Sequence, residues 1–253
     1  MDRFPTTPQS AIRNPRSLVI IPTYNERENL PTLISQIPVI EGLELLFIDD
    51  GSTDGTSEWL QELMLLRTGV HLIERPSKLG LGTAYLVGFK WALERGYDLV
   101  FEMDADLSHR PAEISNFIRK INEGADLVIG SRYLDGIRII NWPLRRLMLS
   151  QFAAGYTRFW TRLPLTDPTS GFKCFRRRVL ESLPLDRIRS NGYAFQIEVN
   201  YCVWKQGFCL AEIPIVFTDR HHGSSKMNRQ IVREAVFLIP QLGWMYHATK
   251  EKK

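Results

Sequence analysis

Val100 to Pro111 read VFEMDADLSHRP. The stretch opens apolar, presents two carboxylates one residue apart, Asp104 and Asp106, and closes on a proline. Residues i and i+2 of a strand share a face. A strand ending near Met103 therefore brings both carboxylates to one point at its C-terminal edge. Two like charges held together require a counter-charge, and a hard divalent cation is the usual one. Such cations bind through one or two carboxylates, water and substrate phosphates. The pair points to a Mg²⁺ or Mn²⁺ site that holds a diphosphate. A solvated turn is the better explanation of an isolated pair, since aspartate is common where strands end. The rest of the chain decides between them.

Outward from this stretch, apolar runs alternate with helical patterns. Ser17 to Ile21, Leu43 to Ile48, Val70 to Glu74 and Leu99 to Met103 read as strands. Between them, helices are expected over Asn25 to Ile37, after a cap at Ser52-Thr53-Asp54, and over Thr83 to Arg95. Short apolar runs broken by helical periodicity predict an open, mostly parallel α/β sheet flanked by helices. Ligands of such sheets bind at the carboxyl ends of the strands. Pro22 to Glu26, Asp49 to Ser52 and Asp104 to Ser108 all fall there, which turns separate weak motifs into one site. Further on, a helix is expected over Ala112 to Asn122 and a strand over Asp126 to Ile129. An amphipathic basic and aromatic segment spans Asn141 to Arg162. A loop entering a strand is expected over Thr166 to Arg176, with helices over Val179 to Leu183 and Ala194 to Gln206. Cys209 to Phe217 reads as a strand, and a last helix is expected from about Asn228.

The 253 residues suffice for one large α/β domain, and no repeat or linker divides them. The expected boundaries are a disordered tail over 1–16, one domain over 17–239, and a C-terminal tail over 240–253. A net charge of +4 suits phosphates or a membrane surface and is too weak to argue for nucleic acid. Cys174, Cys202 and Cys209 lack C-x-x-C spacing and read as reduced, mostly buried thiols of a cytosolic protein. The proline-bearing N-terminus has no apolar run and does not read as a signal peptide. No stretch approaches the length of a membrane-spanning helix. Ala235 to Tyr246, with Lys250, Lys252 and Lys253 beyond it, either lies on a bilayer or packs on the domain.

Six motifs occur in order: PTYNERENL (Pro22 to Leu30), IDDGSTDGT (Ile48 to Thr56), KLGLGTAY (Lys78 to Tyr85), MDADLSHRP (Met103 to Pro111), GSRY (Gly130 to Tyr133) and a DRxxGxSK pattern over Asp219 to Lys226. From Ser17 to Ile239 the chain resembles the dolichol-phosphate (polyprenol-phosphate) mannosyltransferases of glycosyltransferase family 2, with the GT-A fold. That resemblance implies an inverting transferase that moves mannose from GDP-mannose to a dolichyl or polyprenyl phosphate. It implies a nucleoside clamp at Pro22, Tyr24, Glu26, Ile48 and Asp50, with Asp50 accepting from the base and Asp54 serving as a turn and cap residue. Asp104, Ala105 and Asp106 resemble the donor- and metal-binding triplet. Ser108 stands where some relatives carry a further glutamine ligand to the metal.

Arg132 is expected to reach a phosphate or a sugar hydroxyl, and Arg220 and Lys226 to close on the diphosphate. Arg146 and Ser150 resemble the pair that binds the lipid phosphate and share a helix face by their spacing. Asp167 either contacts the mannose or forms an Asp-Pro turn, while Gln196 and Glu198 receive no role. Leu144, Leu147, Met148, Phe152, Tyr156, Phe159 and Trp160 are expected mostly to pack on the sheet, a bilayer or polyprenyl chain being the alternative. The resemblance also implies peripheral attachment at the cytosolic face of a membrane, or recruitment by a small membrane-anchoring subunit. A UDP-glucose-dependent transferase and a non-catalytic nucleotide-sugar-binding subunit stand as the competing readings.

Overall fold

The computed structural model describes residues 14–188, 190–219 and 236–242. Expectations placed on 1–13, 220–235 and 243–253, including Arg220, Lys226 and the terminal lysines, lie outside the described residues.

Four strands, β1 (Ser17–Thr23), β2 (Leu43–Asp49), β3 (Val70–Glu74) and β4 (Leu99–Glu102), run parallel. They alternate with helices α1 (Leu30–Gln36), α2 (Thr56–Leu66) and α3 (Leu81–Glu94). A 3₁₀ turn and α4 (Ile114–Asn122) lead to β5 (Leu127–Ser131), the short β6 (Ile139–Ile140) and α5 (Leu144–Thr161). After β7 (Lys173–Arg176) come α6 (Arg177–Ser182), α7 (Gly192–Lys205), β8 (Leu210–Pro214) and β9 (Phe217–Thr218). The main sheet has the order β3-β2-β1-β4-β7-β5-β8, and β6 pairs with β9 in a ladder apart from it. Among the described strands only β7 opposes its neighbours, β4 and β5, in direction. The chain winds outward from β1 to β3 and returns to the other side of β1, which makes the β1–β4 boundary a topological switch point.

Strand side chains alternate between two cores. Leu18, Ile20, Leu46, Ile48 and Val100 face α3, α6 and α7. Val19, Ile21, Leu45, Phe47 and Phe101 face α1, α2 and α4. Burial on both faces explains why the sequence shows continuous apolar runs and no alternation.

Three expectations are corrected. Helix α1 begins at Leu30 and not at Asn25, because Pro31 belongs to the first turn and residues before it bond to the neighbouring loop. The residue preceding α2 is Gly55, with φ 86°, and Asp54 acts one position earlier by accepting from Thr56 N and Oγ1. Most apolar residues of α5 do not pack on the sheet: Leu144, Met148, Phe152, Phe159 and Trp160 are exposed. The helix docks instead through a narrow face of small residues, Ala154, Thr157 and Thr161. Of the cysteines, Cys174 and Cys202 are buried and Cys209 is exposed. No helix among the described residues is long and apolar enough to cross a membrane.

The glycines of KLGLGTAY have a spatial reason. Gly80 sits at φ 102° ahead of α3. A Cβ on Gly82 would lie 2.5 Å from the Ser190 carbonyl and 3.0 Å from the Phe195 ring. Tyr85 and Phe195 stack across the same α3–α7 contact with centroids 6.0 Å apart. Gly82→Ala is expected to destabilise the fold by about 1–3 kcal/mol through overpacking, measured as a lower urea midpoint; an unchanged midpoint would refute this account of the contact.

Candidate active site

The sheet register brings Thr23, Asp49 and Glu102 to one edge, where β1, β2 and β4 all end. The two aspartates of IDDGST separate there. Asp49 is 1 % exposed and accepts from Thr23 Oγ1 (2.9 Å), Ser52 N (2.8 Å), Ser52 Oγ (2.6 Å) and Ser57 Oγ (3.0 Å). Four hydrogen bonds fill the acceptor capacity of a carboxylate, so Asp49 is a scaffold residue. Asp50 forms a buried ion pair with Arg75, whose Nε donates to Oδ1 at 2.5 Å and whose Nη2 also meets Oδ1. Arg75 Nη1 donates to Thr83 Oγ1 at 2.8 Å, tying the pair to the start of α3. Sequence reading missed Arg75, which follows β3 with no motif of its own.

The PTYNERENL loop is stitched to the same edge. Asn25, at φ 56°, donates its N–H to Ser52 Oγ (2.8 Å) and accepts from Thr53 N (2.9 Å) through Oδ1. Glu26 N donates to Thr56 Oγ1 at 3.0 Å, and Glu26 Oε2 accepts from Asn29 Nδ2 at 2.7 Å. Lys78 Nζ lies 4.4 Å from the centre of the Tyr24 ring, so the KLGLGTAY segment faces this loop. Pro22 and Ile48 are opposed across the β1–β2 pairing, which brings the expected clamp residues Pro22, Tyr24, Glu26, Ile48 and Asp50 together.

Beyond β4, the DAD triplet turns sharply, with Leu107 at φ 63°. Asp106 is 4 % exposed and its Oδ1 accepts from Ser108 N at 3.1 Å, whereas the Asp104 side chain is 27 % exposed. His109 accepts from Asp104 N at 3.2 Å and stacks on Phe172, fixing the turn. Ala105 is buried beneath it. The Ser108 hydroxyl is buried without a hydrogen-bond partner among the described residues. Two carboxylates and one unengaged hydroxyl form an oxygen-only donor set. It fits a hard cation that completes its shell with water and phosphate, and no group of three or more His, Cys, Asp or Glu among the described residues forms a self-sufficient cage.

A buried ion pair underlies the triplet. Glu102 and Lys173 are both fully buried, with Nζ 3.9 Å from Oε2. Burial pushes Glu102 up to about 7 against the pull of Lys173. Burial likewise lowers Lys173, to about 8, against the pull of Glu102. The Tyr85 hydroxyl is held well above its usual range by burial and by the nearby Asp104, Glu102 and Asp106 carboxylates.

Arg132, expected to reach a phosphate or a sugar hydroxyl, is engaged within the protein. It is 4 % exposed, and its fork grips Asp167 through Nε (2.6 Å) and Nη2 (2.7 Å). Nη2 also donates to Thr169 Oγ1 at 2.8 Å, and the Trp142 and Phe217 rings lie 5.5 and 5.4 Å from Cζ. Asp167 is fully buried, and this pairing with Arg132 anchors it in the structure. Both members are held on a strand-end loop whose conformation they fix.

Arg146 and Ser150 share the inner face of α5, as their spacing predicts. Arg146 donates to Asp219 Oδ1 at 2.7 Å and stands over Trp142 at 4.1 Å. Ser150 Oγ accepts from Tyr133 at 2.7 Å. The small β6–β9 ladder, too short to be read from sequence, links this helix to the carboxylates: Thr218 N donates to Ser108 O at 3.4 Å, and Asp219 N to Ile140 O at 3.1 Å. A cavity of about 360 Å³ between α1 and residues 107–110 shares no lining residue with the clamp or the two carboxylates.

An open α/β sheet of this topology, with paired carboxylates at its switch point, has the GT-A fold, and the family match makes the chain a glycosyltransferase. The chain belongs to glycosyl transferase family 2, whose profile matches residues 18–183. It is 47 % identical over 230 residues to polyprenol monophosphomannose synthase of Mycolicibacterium smegmatis, covering 90 % of this chain and 87 % of the relative. It is 42 % identical over 229 residues to undecaprenyl-phosphate mannosyltransferase of Micrococcus luteus, covering 90 % and 94 %. The fold is shared with glucosyl-3-phosphoglycerate synthase of Mycobacterium tuberculosis, solved with Mn²⁺, UDP and glucosyl-3-phosphoglycerate. That likeness has a TM-score of 0.65 at 20 % identity over 91 % of this chain and 80 % of the other.

Burial acts to raise the Asp167 carboxyl, but the charge and hydrogen bonds of Arg132 outweigh it and hold the group below its ordinary value of 3.8. The stabilisation is therefore complete above 3.8 and is lost as the pH falls through the lower folded value. Asp167→Asn is expected to cost about 3–5 kcal/mol at pH 7, as removal of one partner from a buried pair does. In urea unfolding that gap should close in strong acid, and a gap independent of pH would count against the pairing as its source.

Proposed function

We propose that this chain transfers mannose from GDP-mannose to a dolichyl or polyprenyl phosphate, with inversion at the anomeric carbon and release of GDP. The observation that carries the reading is the short bridge between the DAD turn and α5. Thr218 bonds the turn and the adjacent Asp219 holds Arg146, so a candidate phosphate-binding face lies next to the candidate donor carboxylates. The named activities of the two relatives support the sugar and the acceptor class.

In this reading Tyr24, Pro22 and Ile48 bound the base, while Glu26 and Asp50 accept from its N–H groups or from ribose. Arg75 keeps Asp50 in place. Asp104 and Asp106, with Ser108 directly or through water, would hold Mg²⁺ or Mn²⁺. When bound, the cation supplies charge neutralisation on the departing diphosphate. Arg146 and Ser150 hold the acceptor phosphate. Its oxygen is already anionic near neutral pH, so it attacks the anomeric carbon without a general base while GDP leaves from the opposite side. Arg220 and Lys226 add positive charge for the leaving group. Arg132 positions the 167–169 loop. The work of the protein is orientation and electrostatic stabilisation.

Exposed Leu144, Met148, Phe152 and Phe159 on α5, with Val236 and Phe237 nearby in chain 236–242, support peripheral attachment to a bilayer. Tyr156 donates to Val236 O at 3.0 Å, joining the two segments. Attachment at the cytosolic face would bring the acceptor phosphate to Arg146.

Labelled sugar should pass from GDP-mannose into the lipid phase with polyprenyl phosphate in detergent, only with Mg²⁺ or Mn²⁺ present, and UDP-glucose should give none. Asp106→Ala is expected to lower turnover by ~10²-fold or more with an unchanged circular-dichroism spectrum. Label from UDP-glucose alone would reassign the donor, and GDP binding without any transfer would favour a binding subunit. Separately, Phe152→Asp with Phe159→Asp should weaken sedimentation with anionic lipid vesicles about tenfold or more, given ~1.5–3 kcal/mol per buried phenyl ring. Unaltered sedimentation would move the membrane contact elsewhere, and sedimentation requiring a second protein would assign recruitment to an anchoring subunit.

A further inference from the structure

Of the GSRY motif, the proposed reaction uses Arg132 and leaves Tyr133 without a task. Ser131 ends β5, and its hydroxyl accepts from Tyr133 N at 3.3 Å and Leu134 N at 3.1 Å, so the chain bends away from the sheet there. The Tyr133 ring is half-buried beside Arg132, whose Cζ lies 5.4 Å from the ring centre. Its hydroxyl crosses to α5 and donates to Ser150 Oγ at 2.7 Å. Burial raises the Tyr133 hydroxyl above its ordinary value of 10.0 against the pull of Arg132, so the proton stays on the tyrosine.

The direction of this bond gives it chemical content. A serine or threonine within a helix can spend its proton on the carbonyl one turn back. Thr157 and Thr161 of the same helix do so, donating to Ala153 O at 2.8 Å and to Thr157 O at 2.7 Å. Ser150 makes no such bond among the described residues, and its oxygen accepts instead. A hydroxyl both donates and accepts. With the oxygen engaged by Tyr133, the proton is what Ser150 has left to spend, and accepting strengthens the O–H as a donor. An anion uses only that half of a hydroxyl. One helical turn away on the same face stands Arg146, whose Nη1 on Asp219 shows that an oxyanion can reach this guanidinium.

We infer that Tyr133 is a positioning residue for the acceptor phosphate: it holds Ser150 with its O–H turned toward a phosphate oxygen that Arg146 also contacts. Tyr133 itself touches no substrate. Without its hydroxyl, Ser150 is released to bond back to the Arg146 carbonyl, as the threonines of α5 do to theirs, and the phosphate loses a donor. The inference rests on the reading of Arg146 and Ser150 as the acceptor-phosphate face.

Its test is calorimetric titration of farnesyl phosphate, a short prenyl phosphate, into wild type, Tyr133→Phe, Ser150→Ala and the double variant. GDP with Mg²⁺ is titrated into each as the control. Tyr133→Phe keeps the ring beside Arg132 and should bind farnesyl phosphate about tenfold more weakly, the worth of one hydrogen bond to a charged group. Its GDP affinity should match wild type. Ser150→Ala should show the same loss, and the double variant no more than either, because the tyrosine acts through the serine. In transfer to polyprenyl phosphate the loss should appear in KM, with kcat near that of wild type. Losses that multiply in the double variant would overturn the inference and leave the acceptor reading standing. Full affinity in Tyr133→Phe beside a weakened Ser150→Ala would do the same. A parallel fall in GDP affinity would overturn it as well, reducing Tyr133 to a tether between β5 and α5. Full affinity in Ser150→Ala, or no binding of farnesyl phosphate by wild type, would overturn the acceptor reading and the inference with it.

Discussion

A single reversed strand governs the chemistry of this sheet. Strands β1, β2 and β4 all end at the edge that carries Asp50 and the DAD turn. Because β7 runs against β4, the residues that precede it arrive at that edge instead of leaving it. Register pairs Glu102 with Lys173, so the last residue of one strand meets the first of the other. A parallel strand in this position would have carried Asp167 to Gly171 to the far side of the domain.

That convergence concentrates carboxylates, and the fold answers each with a partner of its own. Asp49 is saturated by hydroxyls and a backbone N–H. Asp50 takes Arg75, Asp167 takes Arg132, and Glu102 takes Lys173. In each ion pair the charge is removed from solvent, where loss of either member leaves an uncompensated ion. Asp104 remains the most exposed of this set and sits at the rim.

Much of this was legible in the chain. Strand runs and the glycines of KLGLGTAY were readable because burial on both faces, and a backbone carbonyl 2.5 Å from where a Cβ on Gly82 would stand, leave few alternative residues. Arg146 and Ser150 fell on one face by helical spacing alone. Other features had no local signature. Arg75 stands outside every motif and Arg132 inside GSRY, and only the fold shows that each pairs with a buried aspartate. The two-residue ladder β6–β9 is shorter than any periodicity can reveal. The exposed stripe of α5 was misjudged because aromatic composition favours a core, while the docking face is made of alanine and threonine.

The saturation of Asp49 also bears on how substitutions in this region would be tolerated. Asparagine at that position loses an acceptor and brings an N–H donor toward hydroxyls and an amide already arranged to donate. Asparagine at Asp50 instead strands the Arg75 guanidinium beside the clamp. A tolerance map would show two adjacent intolerant aspartates, unrelated in origin. One reports the integrity of a loop, the other a buried ion pair with Arg75.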